Sequence, residues 1–390
     1  MRARWVCLLL VVLGASLGCA ERAGARAFAP RPGHVFAGVT GGTSIMRYEQ
    51  VVGKHPAVFE TFTTWNTPTQ WLADPGHSFR ARLALHISTS SGYGQRGVIS
   101  PEGIALGRSD RFLVALNRNL VRSRRVVYVR LMAEMNGYWN AYAAYNADGS
   151  SRGVRDSPRF YVAAWRRTVL ILRGGRVDRT DRRLRALGLP PLHAGLRASA
   201  RLRRPKVAFL WVPQDAGSPE IAANAPGAFW PGGAYVDWVG TDFYASYPNF
   251  SLLDRFYSAY AAREGKPFVL SEWALYGADD PSFVRALFGW VRTHPLVRML
   301  NYYQGFSATA IPDLGHYPAS AVALRHALRS PRYLAYAHEY AHRQHQRHGR
   351  GGPPETPSPS ESPPLPPRTG QPPTPPELCV PLLKLCIPGL

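Results

Sequence analysis

The sequence predicts an α/β protein, a (β/α)8 TIM barrel in one large domain followed by a disordered proline-rich tail. Eight short apolar runs alternate with amphipathic helical stretches, and the runs are near-continuous, as in strands buried on both faces. The alternative is an open doubly wound sheet. That fold requires a glycine-rich phosphate loop after the first strand, and Gly38, Gly41 and Gly42 do not fit its spacing.

The predicted strands are residues 35–40, 57–65, 82–88, 126–132, 206–212, 236–244, 267–271 and 297–304. Helices are expected at 110–122, 158–172, 252–263 and 281–293, with a final helix from Ser330 to about His345. Ser157 before Pro158 marks a helix start, since serine suits the cap and proline the first position. At 390 residues and 45% hydrophobic content, the chain can hold one barrel of roughly 300 residues.

Residues 1–27 have the organisation of an export signal. Arg2 and Arg4 precede an apolar run, Trp5 to Leu17, that is too short for a membrane span, and small residues suited to cleavage follow. We therefore expect a secreted, extracellular protein. The alternative is a lipid anchor on Cys19, because Leu17-Gly18-Cys19 resembles the end of a lipobox.

Residues 28–348 are the predicted barrel domain, and the composition changes abruptly after it. Twelve of the 24 residues from Pro353 to Pro376 are proline, so residues 349–376 are expected to form an extended linker. In the short segment 377–390, Cys379 and Cys386 predict a small disulfide loop. Association with a cell wall or membrane surface, through this tail or Cys19, is left open.

The chain is strongly basic, with 47 Lys and Arg against 25 Asp and Glu and a net charge of +22. The basic runs are scattered over helical and loop segments without interleaved stacking aromatics, so nucleic-acid binding is not expected. An arginine-rich composition, with the charged side chains on solvent-exposed faces, explains the net charge. The sharper alternative is attraction to anionic cell-surface polymers.

Two predicted strands lead into a glutamate beside aromatic residues, Glu134 with Trp139 and Glu272 with Trp273. Reactive side chains of a TIM barrel project from the carboxyl ends of its strands, so both carboxyl groups are expected at one mouth. A separation of roughly 5 Å would suit retaining glycoside hydrolysis, with Glu272 as nucleophile and Glu134 as acid, later base. Glu134 then needs a raised pKa, which desolvation by Met135 and Trp139 would supply.

Further strand-end residues complete the predicted site, because flat rings stack on sugars and polar groups orient carboxylates or hydroxyls. The residues expected to bind substrate are Trp139, Tyr244, Asn136, Arg130, Asp242, Trp211, Trp273, His86, Trp65 and Tyr303. The alternative is core packing for the aromatics and structural pairing with Arg130 for the glutamates. Trp165, Phe288 and Trp290 fall in helices and are expected in the core.

No cysteine and histidine cluster has zinc spacing. The late histidines have helical spacing and are expected on the surface of a basic helix; they are His338, His342, His345 and His348. We therefore expect no metal and no cofactor, and a monomer.

Three motifs resemble those of glycoside hydrolase family 26, best known for β-mannanases. They are Arg130, Glu134, Asn136-Gly137 and Trp139 on strand four, Val236 to Tyr244 on strand six, and Lys266-Pro267 through Glu272-Trp273 on strand seven. The resemblance covers roughly residues 35–343. It implies retaining endo-hydrolysis of a β-linked polysaccharide without a cofactor, with Tyr244 hydrogen-bonded to the nucleophile and Trp139 lining the cleft.

The sequence departs from the family at Ala133, where the family usually has a histidine directly before the acid/base. The departure puts mannan specificity in doubt more than catalysis, and His86 is the expected substitute. Mixed-linkage β-glucan and β-1,3-xylan are alternatives to mannan. Other interpretations are a non-hydrolytic carbohydrate-binding or cell-wall protein, and a hydrolase of an anionic polysaccharide.

Overall fold

The computed structural model describes residues 27–41, 45–74, 80–90, 97–304 and 313–341, together with the strand segments Cys379–Val380 and Leu385–Cys386. The chain divides into two units, residues 1–343 and 344–390. In the first unit eight parallel strands, β1 to β8, pair in chain order, and β8 pairs with β1. The sheet is therefore a closed (β/α)8 barrel, which confirms the predicted fold class.

The barrel strands lie within two to three residues of their predicted bounds. They are β1 Val35–Thr40, β2 Val58–Thr64, β3 Arg82–Ser88, β4 Val126–Leu131, β5 Lys206–Trp211, β6 Trp238–Tyr244, β7 Phe268–Ala274 and β8 Val297–Tyr303. Every residue of β1, β4 and β7 is buried. Burial on both faces explains why these strands are apolar runs and do not alternate with polar residues.

The helices cover the outside of the barrel. They are α1 Ile45–Val52, α2 Pro101–Ala105, α3 Asp110–Ser123, α4 Pro158–Leu172, α5 Val177–Ala186, α6 Phe250–Phe256, α7 Pro281–Thr293, α8 Pro318–Leu328 and α9 His338–Ala341. A π-helix, Tyr257–Ala262, continues α6. Short 3-10 turns lie at Gln70–Ala73, Val154–Asp156, Ala222–Asn224, Pro226–Phe229, Gly233–Tyr235 and Leu314–His316.

Helix α4 begins with Pro158 at its first turn as predicted, although Ser157 makes no side-chain capping bond. Trp165, Phe288 and Trp290 are buried between helices and sheet, which confirms their assignment to the core. None of the helices in the described ranges is long and apolar enough to cross a membrane.

The end of the barrel where the strands begin is filled by aromatic side chains and by the buried Arg82, which donates to the Tyr128 hydroxyl at 2.7 Å. Tyr128 of β4 and Trp238 of β6 meet edge to face, with ring centroids 5.7 Å apart. The segment before β1 closes this end, because Tyr128 Oη donates to the Phe28 carbonyl at 2.8 Å and Trp238 Nε1 donates to the Ala27 carbonyl at 2.7 Å. The remaining polar side chains of the barrel interior lie further along the strands.

A buried polar layer lies two to four residues further along the strands and includes Glu60, Arg130, Asp242 and Asn301, all at most 3% exposed. Gly38 of β1 leaves room for it, since a Cβ there would lie 2.0 Å from Asn301 Oδ1. The barrel is thus sealed at one end and polar towards the other.

The predicted helix from Ser330 to His345 is wrong over residues 330–337, whereas residues 338–341 are helical. Tyr333–Leu334 pairs as a short parallel strand with β1, Tyr333 opposite Val35, and the Val35 amide donates to the Arg332 carbonyl at 2.8 Å. This long-range pairing outweighs the local helical preference. Only α9 follows, where the His338 side chain is 85% exposed. Helices α1, α2, α5 and α8 were not predicted.

Several predictions lie outside the described residues: the export signal before Ala27, Cys19, the linker at 349–376, and His342, His345 and His348. In the second unit, Cys379–Val380 and Leu385–Cys386 pair as antiparallel strands, with Cys379 opposite Cys386. The disulfide between these cysteines stays a prediction.

Candidate active site

Four carboxyl groups surround one buried arginine towards the carboxyl ends of the strands. Arg130 Nη1 donates to Glu60 at 2.9 Å and also to Glu272, while Arg130 Nη2 donates to Asp242. The guanidinium of Arg130 also lies close enough to Glu134 for each charge to affect the other. Strands β2, β4, β6 and β7 therefore supply one cluster, which brings together the two predicted catalytic glutamates.

Glu272 of β7 is held through both carboxylate oxygens. Its Oε1 accepts from Arg130, and its Oε2 accepts from the Tyr244 hydroxyl at 2.6 Å. Burial, and after it the charge of Glu272, keeps the pKa of Tyr244 well above its ordinary value, so the hydroxyl remains a donor. A guanidinium and a hydroxyl together stabilise the negative charge that a nucleophilic carboxylate carries.

Glu134 lies three residues beyond β4 in a left-handed backbone conformation, φ +51°. Its amide donates to the Val212 carbonyl at 2.7 Å, which fixes the turn against β5. Trp139 Nε1 donates to Oε2 at 2.8 Å, and Gln214 Nε2 donates to Oε1. A non-glycine residue at positive φ costs about 1–2 kcal/mol, and such strain gathers at functional sites.

Burial raises the pKa of Glu134, and the charge of Glu272 raises it further, against the opposing charge of Arg130. Burial also raises the pKa of Asp242 well above its ordinary value, and the charges of Glu272 and Glu134 raise it further, against the charge of Arg130. The protonated form is therefore favoured for both Glu134 and Asp242.

The sequence analysis did not identify Glu60, which is 0% exposed in β2. Besides Arg130, it accepts from Ser271 Oγ at 2.8 Å and from Asn301 Nδ2 at 3.3 Å. Burial raises the pKa of Glu60. The available signal was a single acidic residue in an otherwise uncharged barrel strand, because a buried carboxyl group requires partners.

Asn136 is 0% exposed and holds the loop after β5. Its Oδ1 accepts from the Gln214 amide at 2.9 Å, and its Nδ2 donates to the carbonyls of Gln214 and Ala216, both at 3.1 Å. This places Gln214, a residue that the sequence analysis missed, on the carboxyl group of Glu134. Asn136 therefore positions the acid/base candidate through Gln214 and does not face the cleft.

Three predicted aromatic residues lie partly exposed at the polar end: Trp139, Tyr244 and Tyr303. Tyr276 joins them, with its ring 5.0 Å from that of Tyr244 in an edge-on arrangement. Trp139 touches Glu134 and Tyr244 touches Glu272. These rings therefore surround the two glutamates and present apolar surface to a ligand.

The structure places the other predicted tryptophans in the core, because Trp65, Trp211 and Trp273 are at most 2% exposed. Trp211 Nε1 donates to the Phe229 carbonyl at 3.2 Å, between sheet and helices. Trp273 follows Glu272 directly, so strand alternation turns its ring to the outer face. Rings without exposed surface cannot stack on a sugar, and core packing, the stated alternative, is their assignment.

His86 of β3 lies beside the cluster, and both its ring nitrogens are buried without a hydrogen-bond partner among the described residues. Burial, and then the charge of Arg130, holds the pKa of His86 well below its ordinary value, so the ring is neutral. Ligand atoms of His86, Glu60 and Glu272 lie within 4.8 Å of one another, a spacing that suits a cation. Arg130 donates to both glutamates and already supplies the positive charge there.

Neither a protein-family model nor a curated protein sequence matches the chain. Solved structures do share its fold. A modular endo-β-1,4-mannanase from Cellulomonas fimi, of glycoside hydrolase family 26, superposes with a TM-score of 0.52 at 16% identity, covering 82% of this chain and 76% of that chain.

Two further mannanases superpose with TM-scores of 0.50. The Bacillus subtilis mannanase man26 is 16% identical over 81% of this chain and 90% of that chain. The family 26 β-mannanase of Bacteroides ovatus is 15% identical over 80% of this chain and 93% of that chain. At these identities the likeness establishes a shared barrel fold, so activity has to be argued from the site.

Proposed function

We propose that the protein is a retaining endo-glycosidase that cleaves β-mannan, with Glu272 as nucleophile and Glu134 as acid and base. One observation carries the proposal: two carboxyl groups at one end of the barrel have opposite environments. Glu272 is ion-paired with Arg130 and accepts from Tyr244, whereas burial and the charge of Glu272 raise the pKa of Glu134. In glycosidases, such a difference in environment keeps the nucleophile ionised and the acid protonated.

In the first step Glu134 transfers its proton to the glycosidic oxygen as the bond to the anomeric carbon breaks. A carboxylate oxygen of Glu272 bonds to that carbon, which gives a covalent glycosyl-enzyme and a free leaving sugar. Arg130 and Tyr244 keep the attacking carboxylate aimed at the carbon before the bond forms.

In the second step the ionised Glu134 takes a proton from a water molecule, and the water oxygen replaces Glu272 at the anomeric carbon. Two inversions give net retention. Trp139 and Gln214 donate to Glu134 and stabilise its ionised form between the steps.

Mannan is the proposed substrate because solved structures with the same fold are named mannanases. His86 is partly exposed and both its ring nitrogens lack a partner among the described residues, so a rotation of the ring would present one of them to a sugar hydroxyl, in place of the histidine that Ala133 replaces. The proposal includes export, because a polysaccharide is degraded outside the cell. Residues 1–27, which have the organisation of an export signal, support this part of the proposal.

The test measures reducing-end release from β-mannan, mixed-linkage β-glucan, β-1,3-xylan and acidic polysaccharides by wild type and by Glu272→Ala. We expect release from mannan by wild type alone. Release from another β-glycan would keep the mechanism and change the substrate. Binding of mannan without any release from the panel would replace the hydrolase with a carbohydrate-binding protein.

A further inference from the structure

Residues 175–206, which we call the basic excursion, connect α4 to β5 and concentrate positive charge. They hold ten arginine and lysine residues against two aspartates, so this short stretch carries +8 of the net +22 of the chain. All ten cations are exposed. They are Arg176, Arg179, Arg182, Arg183, Arg185, Arg197, Arg201, Arg203, Arg204 and Lys206.

Most of these cations have no partner among the described residues. Arg176 and Arg182 pair with Asp178 at 3.0 and 3.4 Å, and Asp181 accepts from the Leu192 amide at 2.8 Å. The other eight make no ion pair and no side-chain hydrogen bond within the described residues. Like charges four residues apart on a helix, as in α5, are destabilising. Stability therefore does not explain the cluster.

The backbone that carries these cations is held in place by strand pairing, a hydrogen bond and close packing. Gly175–Arg176 and Arg201–Leu202 pair as antiparallel strands, and Asn117 Nδ2 donates to the Arg203 carbonyl at 3.1 Å. Gly174 packs so closely that a Cβ there would lie 2.4 Å from the Arg203 carbonyl oxygen. Leu184 of α5 is buried. A backbone held in place in this way loses little conformational freedom when a ligand binds, so only the exposed side chains have to be ordered.

The basic excursion lies away from the candidate active site. It runs from the end of α4 to Lys206, the first residue of β5, which pairs with Val126 at the start of β4. Glu134 follows the opposite end of β4. A strand of six residues spans about 20 Å, so a ligand on the basic excursion leaves the carboxyl cluster open.

The composition of the excursion favours one kind of partner. It contains no Phe, Tyr or Trp, so it lacks the stacking surface that single-stranded nucleic acids use. It also exposes no large apolar side chain that would anchor it in a membrane surface. Guanidinium groups bind carboxylate and sulfate through paired hydrogen bonds.

We propose that the basic excursion binds a linear anionic polysaccharide through its repeated carboxylate or sulfate groups. The polymer binds the end of the barrel where the strands begin, and the end with the carboxyl cluster faces solution. This surface is independent of the proposed hydrolysis, since it uses none of the residues of the carboxyl cluster.

The experiment measures binding of the full chain to immobilised polygalacturonate and dextran sulfate, with neutral mannan as reference, at about 50 and about 300 mM NaCl. The test variant combines Arg179→Gln, Arg183→Gln and Arg203→Gln. The matched control combines Arg285→Gln, Arg292→Gln and Arg329→Gln, which removes the same charge from exposed positions on α7 and after α8.

We expect the test variant to bind at least about tenfold more weakly at low salt and the control to stay within about twofold of wild type. Circular dichroism confirms that both variants are folded. An equal loss in both would show a net-charge effect and overturn the proposal, as would no binding by wild type. Tighter binding to single-stranded DNA or anionic vesicles would overturn the assignment to a polysaccharide.

Discussion

The hydroxyl of Tyr244 donates to Oε2 of Glu272 across the β6–β7 pair, at 2.6 Å. Arg130 holds the other oxygen of the same carboxylate. The nucleophile candidate is therefore oriented from two other strands, β4 and β6, before any substrate arrives, and the donor hydroxyl keeps its proton because burial raises its pKa.

Tyr244→Phe keeps the ring and removes only this hydrogen bond. Because hydrogen bonds to charged groups contribute about 1.5–3 kcal/mol, we expect kcat/KM on the cleaved polysaccharide to fall about 10- to 100-fold. Steady-state kinetics measure the effect, and Tyr276→Phe, which changes a neighbouring ring in the same way, is the control. Equal kinetics for Tyr244→Phe and wild type would show that the contact does not orient the nucleophile.

Trp139→Phe tests the proton donor through pH. The Trp139 indole donates to Glu134 and lowers the pKa of that carboxyl, so its loss favours the protonated form. Activity that needs protonated Glu134 disappears as pH rises through its pKa. The basic limb of the kcat/KM profile should therefore move to higher pH in Trp139→Phe. A limb that stays in place, or moves down, contradicts Glu134 as the acid.

Glu134→Gln should make the protein more stable at neutral pH while removing activity. The folded-state pKa of Glu134 is raised, so its contribution to stability is present at low pH and is lost as pH rises through the raised value. The uncharged amide removes this loss, and we expect an increase of about 1–2 °C in Tm at pH 7. The difference should vanish at about pH 4, where wild type is protonated.

Glu272→Gln is the contrasting variant in the same melting experiment. It removes the ion pair with Arg130, so the positive charge of that buried guanidinium has one fewer negative charge beside it. We expect a lower Tm at pH 7. If Glu134→Gln and Glu272→Gln changed Tm in the same direction, the opposite environments assigned to the two carboxyl groups would be wrong.

His86→Ala tests the proposed sugar contact. The imidazole has no hydrogen-bond partner among the described residues, so its removal breaks no hydrogen bond to any of them. We expect KM to rise about tenfold with a smaller change in kcat, since one hydrogen bond is worth about 1 kcal/mol or more. Unchanged kinetics on the cleaved polysaccharide would remove His86 from the site.

Much of the barrel was predictable because buried parallel strands are apolar runs, and β1, β3 and α7 match their predicted bounds. Glu134 and Glu272 were predictable because each follows such a run beside an aromatic residue. The segment after Ser330 was not, because its strand pairing with Val35 depends on a partner about 300 residues away.

The sequence did not reveal which strand-end residues meet. Glu60 and Gln214 join the site only because the closed sheet and the loop after β5 bring them to Arg130 and Glu134. Trp273 illustrates the opposite error. It is adjacent to Glu272 in sequence, yet alternation along β7 turns it away from the cluster.

The most direct test of the account uses Glu134→Ala with a substrate whose activated phenolate leaves without a proton. The first step proceeds and the second is slowed, because no base activates water. Intact-protein and peptide mass spectrometry should then detect one glycosyl group on Glu272. Rapid turnover of this substrate without an adduct, or an adduct on another residue, would contradict Glu272 as nucleophile and Glu134 as acid and base.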